Sequence, residues 1–302
     1  MARWVTDVVQ TVSRVGFCPD DLSRLAVLDD PIEFRNVEYA LRWMRQEEAW
    51  TELLATTKNL YYYYYVRGLW SSDPNPYVLW TLAASKLGDR VSEFESLVVR
   101  ANIAAKQQNR PASEDLFARL QPLEATLAGG IPATLLGKYR QALALHALES
   151  KDFGSARSLW EMNLAEDSGV ALADYNASLR WYALCLARQG EPNAREWLER
   201  SRAHSRQFGF DRALARTNLE IAKYDLNEPS AGADAGAILD ALDALEPEIT
   251  DLKDPIYLAE YLVTRAAALL RLGRAQEAEL LADQARSVRG RVPFVSISVE
   301  VQ

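Results

Sequence analysis

Cysteine and histidine are scarce in this sequence, with two of each among 302 residues. Cys18 and Cys185 are too few to build a disulfide framework, and a free thiol in a helix-rich chain is commonly buried. His146 and His204 are far apart along the chain, so a histidine-based metal site or a relay to a nucleophile has little to build on. The sequence therefore predicts a cytoplasmic protein that needs no metal or other cofactor.

Long apolar runs and an excess of positive charge are missing as well. Nowhere do about 18 apolar residues follow one another, and Asp7 and Gln10 interrupt the N-terminal segment where an export signal needs an unbroken apolar core. The net charge is −8, whereas phosphate binding needs a surplus of lysine and arginine on one face. We expect neither a membrane span nor a nucleic-acid partner.

What the sequence does contain is apolar residues at helical spacing over most of its length. The clearest stretch runs from Leu135 to Ala165, where two helices are predicted on either side of a turn at 151–154. In the second helix, Ala156, Trp160 and Leu164 recur at i, i+4 and i+8 and share one face. Such a pair cannot bury its apolar faces alone, so it implies neighbours of the same kind.

Helix pairs of this type recur through the second half of the chain. The separations between equivalent small residues are 38, 43 and 41 residues, which is within the range of helix-pair solenoids. These residues are Ala156, Ala194, Ala237 and Ala278. The sequence of the first half of the chain predicts further helices, including one that begins at Pro31 and is capped by Asp30.

The last residues depart from the helical pattern. Val295, Ile297, Val299 and Val301 alternate with polar residues and share one face of a predicted strand. A strand needs a partner edge, so this tail folds back on the last helix, frays, or pairs with another domain or a second copy of the chain. The predicted domains are an N-terminal helical portion over 1–130, helical repeats over 131–290 and the strand-like tail over 291–302.

Several motifs resemble the tetratricopeptide repeat, a helix-pair unit. The best matches are Asp152-Phe153…Ala156…Trp160 and Gly273…Ala278…Ala282…Ala285. The run Asn36-Val37…Trp43, followed by Trp50, Tyr64 and Trp70, is also similar to the region where degenerate repeats begin in bacterial STAND-class signal-transduction ATPases and related regulators. The resemblance implies an all-α, right-handed α-α solenoid that acts as a non-catalytic sensor, adaptor or regulatory subunit and binds a protein or peptide in its concave groove.

In tetratricopeptide repeats the first helix of each pair lines that groove, and here these helices carry polar and basic residues. The groove candidates are Lys138, Gln141, Asn176, Arg180, Arg212 and Arg216. The last four form two i, i+4 sets, each on one helix face, which would direct cationic and amide donors toward an acidic peptide or a C-terminal carboxylate. The alternative is that these side chains are solvated or bridge to acidic residues on adjacent helices.

Five consecutive tyrosines lie in a helix predicted from about Trp50 to Gly68. Tyr61 and Tyr64 belong to its apolar stripe, so Tyr62 and Tyr63 are expected to point elsewhere. Two interpretations remain for these two rings. They pack against neighbours on a second side of an inner helix, or they form an exposed aromatic platform for a ligand.

Two short motifs superficially suggest an enzyme. Gly137-Lys138 resembles part of a phosphate-binding loop, but Pro132 precedes it where glycine is needed and Tyr139 follows where serine or threonine is needed. The acidic motif over 29–33 resembles the paired carboxylates of metal-dependent all-helical enzymes, but helix capping explains it. We therefore predict no enzyme. Two alternatives stay open: a regulator whose superhelical curvature changes when it binds a peptide, and an all-helical enzyme with a central acidic cavity.

Overall fold

The computed structural model describes residues 8, 10, 12, 22–127, 129–165, 169–228 and 234–290. The strand-like tail predicted over 291–302 lies outside these residues. The described residues are all-α, with no strand, which confirms the predicted fold class at that level. No helix among them is long and apolar enough to cross a membrane.

A 3₁₀ helix, Leu22–Asp29, precedes the α-helices. The α-helices are α1 (Pro31–Gln46), α2 (Trp50–Val66), α3 (Pro76–Leu87), α4 (Arg90–Lys106), α5 (Arg110–Leu127), α6 (Ala133–Glu149), α7 (Phe153–Leu164), α8 (Leu172–Arg188), α9 (Ala194–Gln207), α10 (Asp211–Asn227), α11 (Ala235–Asp251), α12 (Pro255–Arg271) and α13 (Ala275–Gly290).

Helix boundaries follow capping signals in the sequence. Asp30, Asn75 and Asp254 each cap a helix whose first residue is proline, which has no N–H to satisfy. The Asp30 carboxylate accepts a hydrogen bond from the Ile32 N–H at 2.7 Å, so the predicted start of α1 is confirmed. At the end of α3, Gly88 has φ of 68°, the left-handed conformation that suits glycine and closes a helix.

The chain divides into two compact units, Met1–His146 and Ala147–Gln302. The division falls within α6, inside the stretch of 135–165 that carries the clearest helix-pair pattern. We call the two parts unit 1 and unit 2 and describe each by itself.

In unit 1, consecutive helices from α1 to α5 pack against each other. Residues of α4, α5 and α6 share one apolar core, in which the rings of Phe94 and Tyr139 meet edge to face with centroids 5.1 Å apart. Burying an aromatic side chain of this size stabilises a fold by about 1.5–3 kcal/mol. The core therefore joins helices that lie next to each other in the chain.

In unit 2, consecutive helices from α7 to α13 also pack against each other, and α10 in addition contacts both α8 and α12. Packing between successive pairs is consistent with a helical solenoid. Ala156, Ala194 and Ala278 are buried where the repeat pattern places them, but Ala237 is exposed. In α11 the longer side chain of the adjacent Ile238 is buried instead, because it removes more apolar area from water than alanine does.

Candidate functional site

The structure separates the six groove candidates into two groups. Lys138 and Gln141 lie on α6 in unit 1. The other four lie in unit 2, on α8 and α10: Asn176, Arg180, Arg212 and Arg216.

The groove candidates of unit 2 are largely buried. Asn176, Arg180 and Arg216 are exposed by only 1%, 6% and 8%. Charged groups are stable in such surroundings only when other polar or charged groups compensate them. Their neighbours on adjacent helices therefore determine what these arginines can do.

Arg212 connects α10 to the start of α12. Its Nη2 lies 2.5 Å from Oδ2 of Asp254, and its guanidinium carbon lies 4.6 Å from the centre of the Tyr257 ring. Asp254 is buried and also accepts a hydrogen bond from the N–H of Ile256 at 3.0 Å. One carboxylate thus caps α12 and also pairs with an arginine of α10.

Arg216 lies between two aromatic rings. Its guanidinium carbon is 5.4 Å from the centre of the Trp181 ring and 4.5 Å from that of Tyr257, and its Nη1 donates a hydrogen bond to the Tyr257 hydroxyl. Arg180 lies 5.9 Å from the same Trp181 ring. Cation–π contacts of this kind are stronger when the cation is shielded from water.

Two glutamates, of which Glu220 is buried and Glu260 is largely buried, bring negative charge to the same region. Lys223 lies 3.2 Å from Glu220 and 3.3 Å from Glu260. Burial alone would raise the pKa of Glu260, but the positive charges of Lys223, Arg216 and Arg180 lower it below its ordinary value. Burial alone would lower the pKa of Lys223, but the two glutamates raise it. Both shifts favour the charged forms of Glu260 and Lys223.

The residues just described form one charged and aromatic cluster across α8, α10 and α12, which we call the inner cluster. Its members are Arg180, Trp181, Arg212, Arg216, Glu220, Lys223, Asp254, Tyr257 and Glu260. It brings together three of the predicted groove residues. The sequence did not indicate its acidic and aromatic members, because they come from positions up to about 80 residues apart on helices that meet only in the folded chain.

Asn176 belongs to a separate network of polar side chains. Its Nδ2 donates to the Ser205 hydroxyl at 2.9 Å, and the hydroxyl oxygens of Ser201 and Thr217 are 3.3 Å apart. These bonds join α8, α9 and α10 inside unit 2. Buried polar groups that satisfy one another fix the register of packed helices, so this network positions the helices around the inner cluster.

In unit 1, Lys138 belongs to a row of charges on three helices. Its Nζ lies 3.7 Å from one carboxylate oxygen of Glu95, and the Nζ of Lys58 lies 3.1 Å from the other. The three side chains are 30%, 22% and 39% exposed, so each pair contributes at most about 1 kcal/mol. Gln141, one turn from Lys138, is buried.

Tyr62 and Tyr63 are exposed by 6% and 4%. The Tyr63 hydroxyl donates a hydrogen bond to the Leu28 carbonyl at 2.7 Å, which shows that the 3₁₀ helix covers this side of α2. Neither ring is available as an exposed platform, and the packing interpretation describes both. Helix α2 is therefore buried on more than one side, which is the first of the two interpretations of these rings.

The two histidines are partly buried, and Cys185 is fully buried. Nδ1 of His146 lies 3.0 Å from the Ser113 hydroxyl, and His204 packs among aromatic rings; burial lowers the pKa of both histidines. Burial likewise raises the pKa of the Cys185 thiol. In the part of the chain that the structure describes, no group of three or more histidine, cysteine, aspartate or glutamate side chains is placed so that it could hold a metal ion.

No protein-family model matches this chain, and no curated protein sequence matches it.

Proposed function

We propose that this chain is a cytoplasmic, non-catalytic scaffold that recognises an acidic segment of a partner protein. The observation that carries the proposal is the inner cluster, in which four basic side chains from two neighbouring helices lie together with Trp181 and Tyr257. The tetratricopeptide-like spacing supports the same conclusion, since the helices concerned correspond to the first helices of successive pairs.

Arginine suits this role because its guanidinium group offers two different surfaces. In Arg212 and Arg216 the flat face rests on aromatic rings, and N–H groups along the edge donate to oxygens, as the pair between Arg212 and Asp254 illustrates. The edge matches the two oxygens of a carboxylate. An aspartate or glutamate of a partner would therefore extend a pattern that the cluster already uses internally.

The four basic side chains of the inner cluster outnumber its three carboxylates, so one net positive charge remains to attract an acidic segment at longer range. Such attraction raises the association rate and weakens as salt screens it. The net charge of −8 would repel an acidic partner from most of the protein surface. A local positive region would therefore direct that partner to the inner cluster.

Fluorescence anisotropy with labelled peptides tests the proposal. Peptides rich in aspartate and glutamate are expected to bind at least about ten times more tightly than asparagine and glutamine versions at low salt. This difference corresponds to a gain of about 1.4 kcal/mol from charge pairing. The Arg216→Lys variant keeps the charge but loses the planar fork, so we expect it to remain folded and bind more weakly.

Arg200→Gln is the matched control. Arg200 lies on α9, is more than half exposed and pairs with Glu196 on its own helix, so its removal should leave peptide affinity unchanged. Equal binding of acidic and neutral peptides, or equal affinity of the Arg216→Lys variant and the unmodified protein, would refute the proposal.

A further inference from the structure

Trp181 of the inner cluster carries a buried hydrogen-bond donor that has no acceptor. The residue lies on α8 and is exposed by only 9%. Within the described ranges, no oxygen or nitrogen accepts a hydrogen bond from its indole Nε1, which is shielded from solvent. Most polar groups that lose contact with water gain a partner in the fold, because leaving one unsatisfied is costly. An oxygen atom of a ligand would satisfy this N–H group.

Two arginines lie close to the same ring. The guanidinium carbon of Arg216 is 5.4 Å from the ring centre of Trp181, and that of Arg180 is 5.9 Å from it. A carboxylate has two oxygens, and each of them accepts hydrogen bonds from N–H groups at about 2.9 Å. A carboxylate that reaches this ring would therefore accept from the indole N–H with one oxygen and from a guanidinium group with the other.

The charges of the inner cluster limit its ligand to one carboxylate. Lys223 pairs with Glu220 and Glu260, and the positive charges of the two arginines near the ring also act on Glu260. Arg212 pairs with Asp254. Four basic groups thus face three carboxylates, and one net positive charge remains. A second ligand carboxylate would bring excess negative charge into a region shielded from water, which is costly.

The exposed area of these side chains is also narrow. Arg180 and Arg216 are exposed by 6% and 8%, close to the value for Trp181. Such an area admits the end of one acidic side chain, whereas a stretch of peptide backbone needs a wider opening. The indole Nε1 is out of reach of water, so a carboxylate enters by small shifts of the arginine side chains, which have several rotatable bonds.

We propose that the inner cluster binds a single side-chain carboxylate of the partner and that Trp181 determines this specificity. Its indole N–H donates to one carboxylate oxygen, and Arg180 or Arg216 donates to the other. The inference rests on the proposed function, which requires only an acidic segment, and narrows the ligand to one acidic residue at this site. Further acidic residues of the segment contribute through long-range attraction alone.

Fluorescence anisotropy with labelled serine- and glycine-rich peptides that contain no, one or two glutamates tests the number of carboxylates. The salt concentration is about 0.15 M, where the screening length is about 8 Å and long-range attraction is weak. The first glutamate is expected to raise the affinity at least tenfold, and the second less than threefold. A second glutamate that adds as much as the first overturns this inference but not the proposed function. If no glutamate peptide binds more tightly than the neutral one, both fail.

The Trp181→Phe variant keeps an aromatic ring beside the arginines but removes the N–H group. Its affinity for the peptide with one glutamate is expected to fall at least fivefold. Trp160→Phe is the matched control, because Trp160 lies on α7 outside the inner cluster and its buried Nε1 also has no acceptor among the described residues. Its affinity should equal that of the unmodified protein. Unchanged affinity in Trp181→Phe, or equal weakening in both variants, overturns the inference.

Nuclear magnetic resonance of the unmodified protein separates direct binding from a packing role. The chain has eight tryptophans, and the indole N–H signal that is missing from Trp181→Phe identifies Trp181. This signal is expected to move downfield as the peptide with one glutamate saturates the protein, because a hydrogen bond to a charged oxygen deshields the proton. A Trp181 signal that stays in place while the peptide binds would overturn the inference.

Discussion

At the scale of single residues, burial decides the charge state of the histidines. His204 lies with its ring centre 4.6 Å from that of Phe208 and 5.2 Å from that of Tyr175. Its Nδ1 is buried and has no hydrogen-bond partner among the described residues. Protonation would place a charge in these apolar surroundings, and burial accordingly lowers the pKa of this ring.

His204 should therefore make stability depend on pH. Its folded pKa lies below the unfolded value of about 6.5, so the unfolded chain binds more protons and stability falls as pH drops below about 6.5. The His204→Phe variant should lose this contribution. Urea unfolding at pH 7.5 and at pH 5.5 measures it: the difference in free energy of unfolding between the two pH values should be smaller in the variant, and an unchanged difference would contradict the argument.

At the scale of helices, capping and ion pairing converge on Asp254. Asp254 caps α12 and pairs with Arg212 of α10. Asp152 caps α7 by accepting a hydrogen bond from the Ser155 N–H at 3.1 Å, but it is exposed to solvent. The two positions allow the cap to be separated from the buried ion pair in one protein.

Asp254→Ala is expected to lower the free energy of unfolding by about 3–5 kcal/mol, because it removes the carboxylate that faces a largely buried arginine. Asp254→Asn retains a capping oxygen but not the charge, and should account for more than half of that loss. Asp152→Ala should cost clearly less than either. Chemical denaturation measures all three, and an Asp254→Asn variant as stable as the unmodified protein would show that the ion pair contributes little.

Helix positions were predictable from the sequence to the extent that local chemistry sets them. Asp30 and the proline after it define a helix start within three residues, and Ala156 and Trp160 identify a buried face by their spacing. The buried face of α11 was wrongly assigned to Ala237. Alanine occurs on both the buried and the exposed faces of helices, whereas isoleucine, here Ile238, favours the buried face. The pairing of Arg212 with Asp254, 42 residues away, depends on how α10 and α12 meet, which no local pattern encodes.

For the candidate site, the sequence identified residue types better than their surroundings. It selected Arg180, Arg212 and Arg216, and the structure brings these three into one cluster. It did not show that two of them are almost completely buried, since burial depends on contacts from both adjacent pairs. Tyr62 and Tyr63 show the same limit, because the sequence left open whether these rings pack or are exposed, and only the contacts of the folded chain decide it.

At the scale of the whole molecule, packing within each unit is dominated by helices that are neighbours in the chain. In proteins built this way, local stability differs along the chain, and a destabilising substitution affects mainly the adjacent helices. The Phe94 side chain, which is completely buried in unit 1, provides a probe of this behaviour.

Phe94→Ala is expected to destabilise its surroundings by about 3–5 kcal/mol, since it leaves a cavity where the ring contacted Tyr139. Hydrogen exchange measured by mass spectrometry should accelerate in α4, α5 and α6 and remain unchanged in α10 to α12. Val78→Ala, at an exposed position of unit 1, is the control and should leave exchange unaltered. Faster exchange throughout both units would show that they unfold as one cooperative body.

The neighbour-to-neighbour packing of these helices also bears on how the polypeptide is made. Ribosomes add roughly 5–20 residues per second, so these 302 residues take on the order of 15–60 s to synthesise. Helix pairs and their short loops form within milliseconds, far faster than the next pair emerges. Within each unit, every completed helix pair can therefore bury its apolar face against the previous pair during translation. Little apolar surface would then need protection by a chaperone until a distant part of the chain is synthesised.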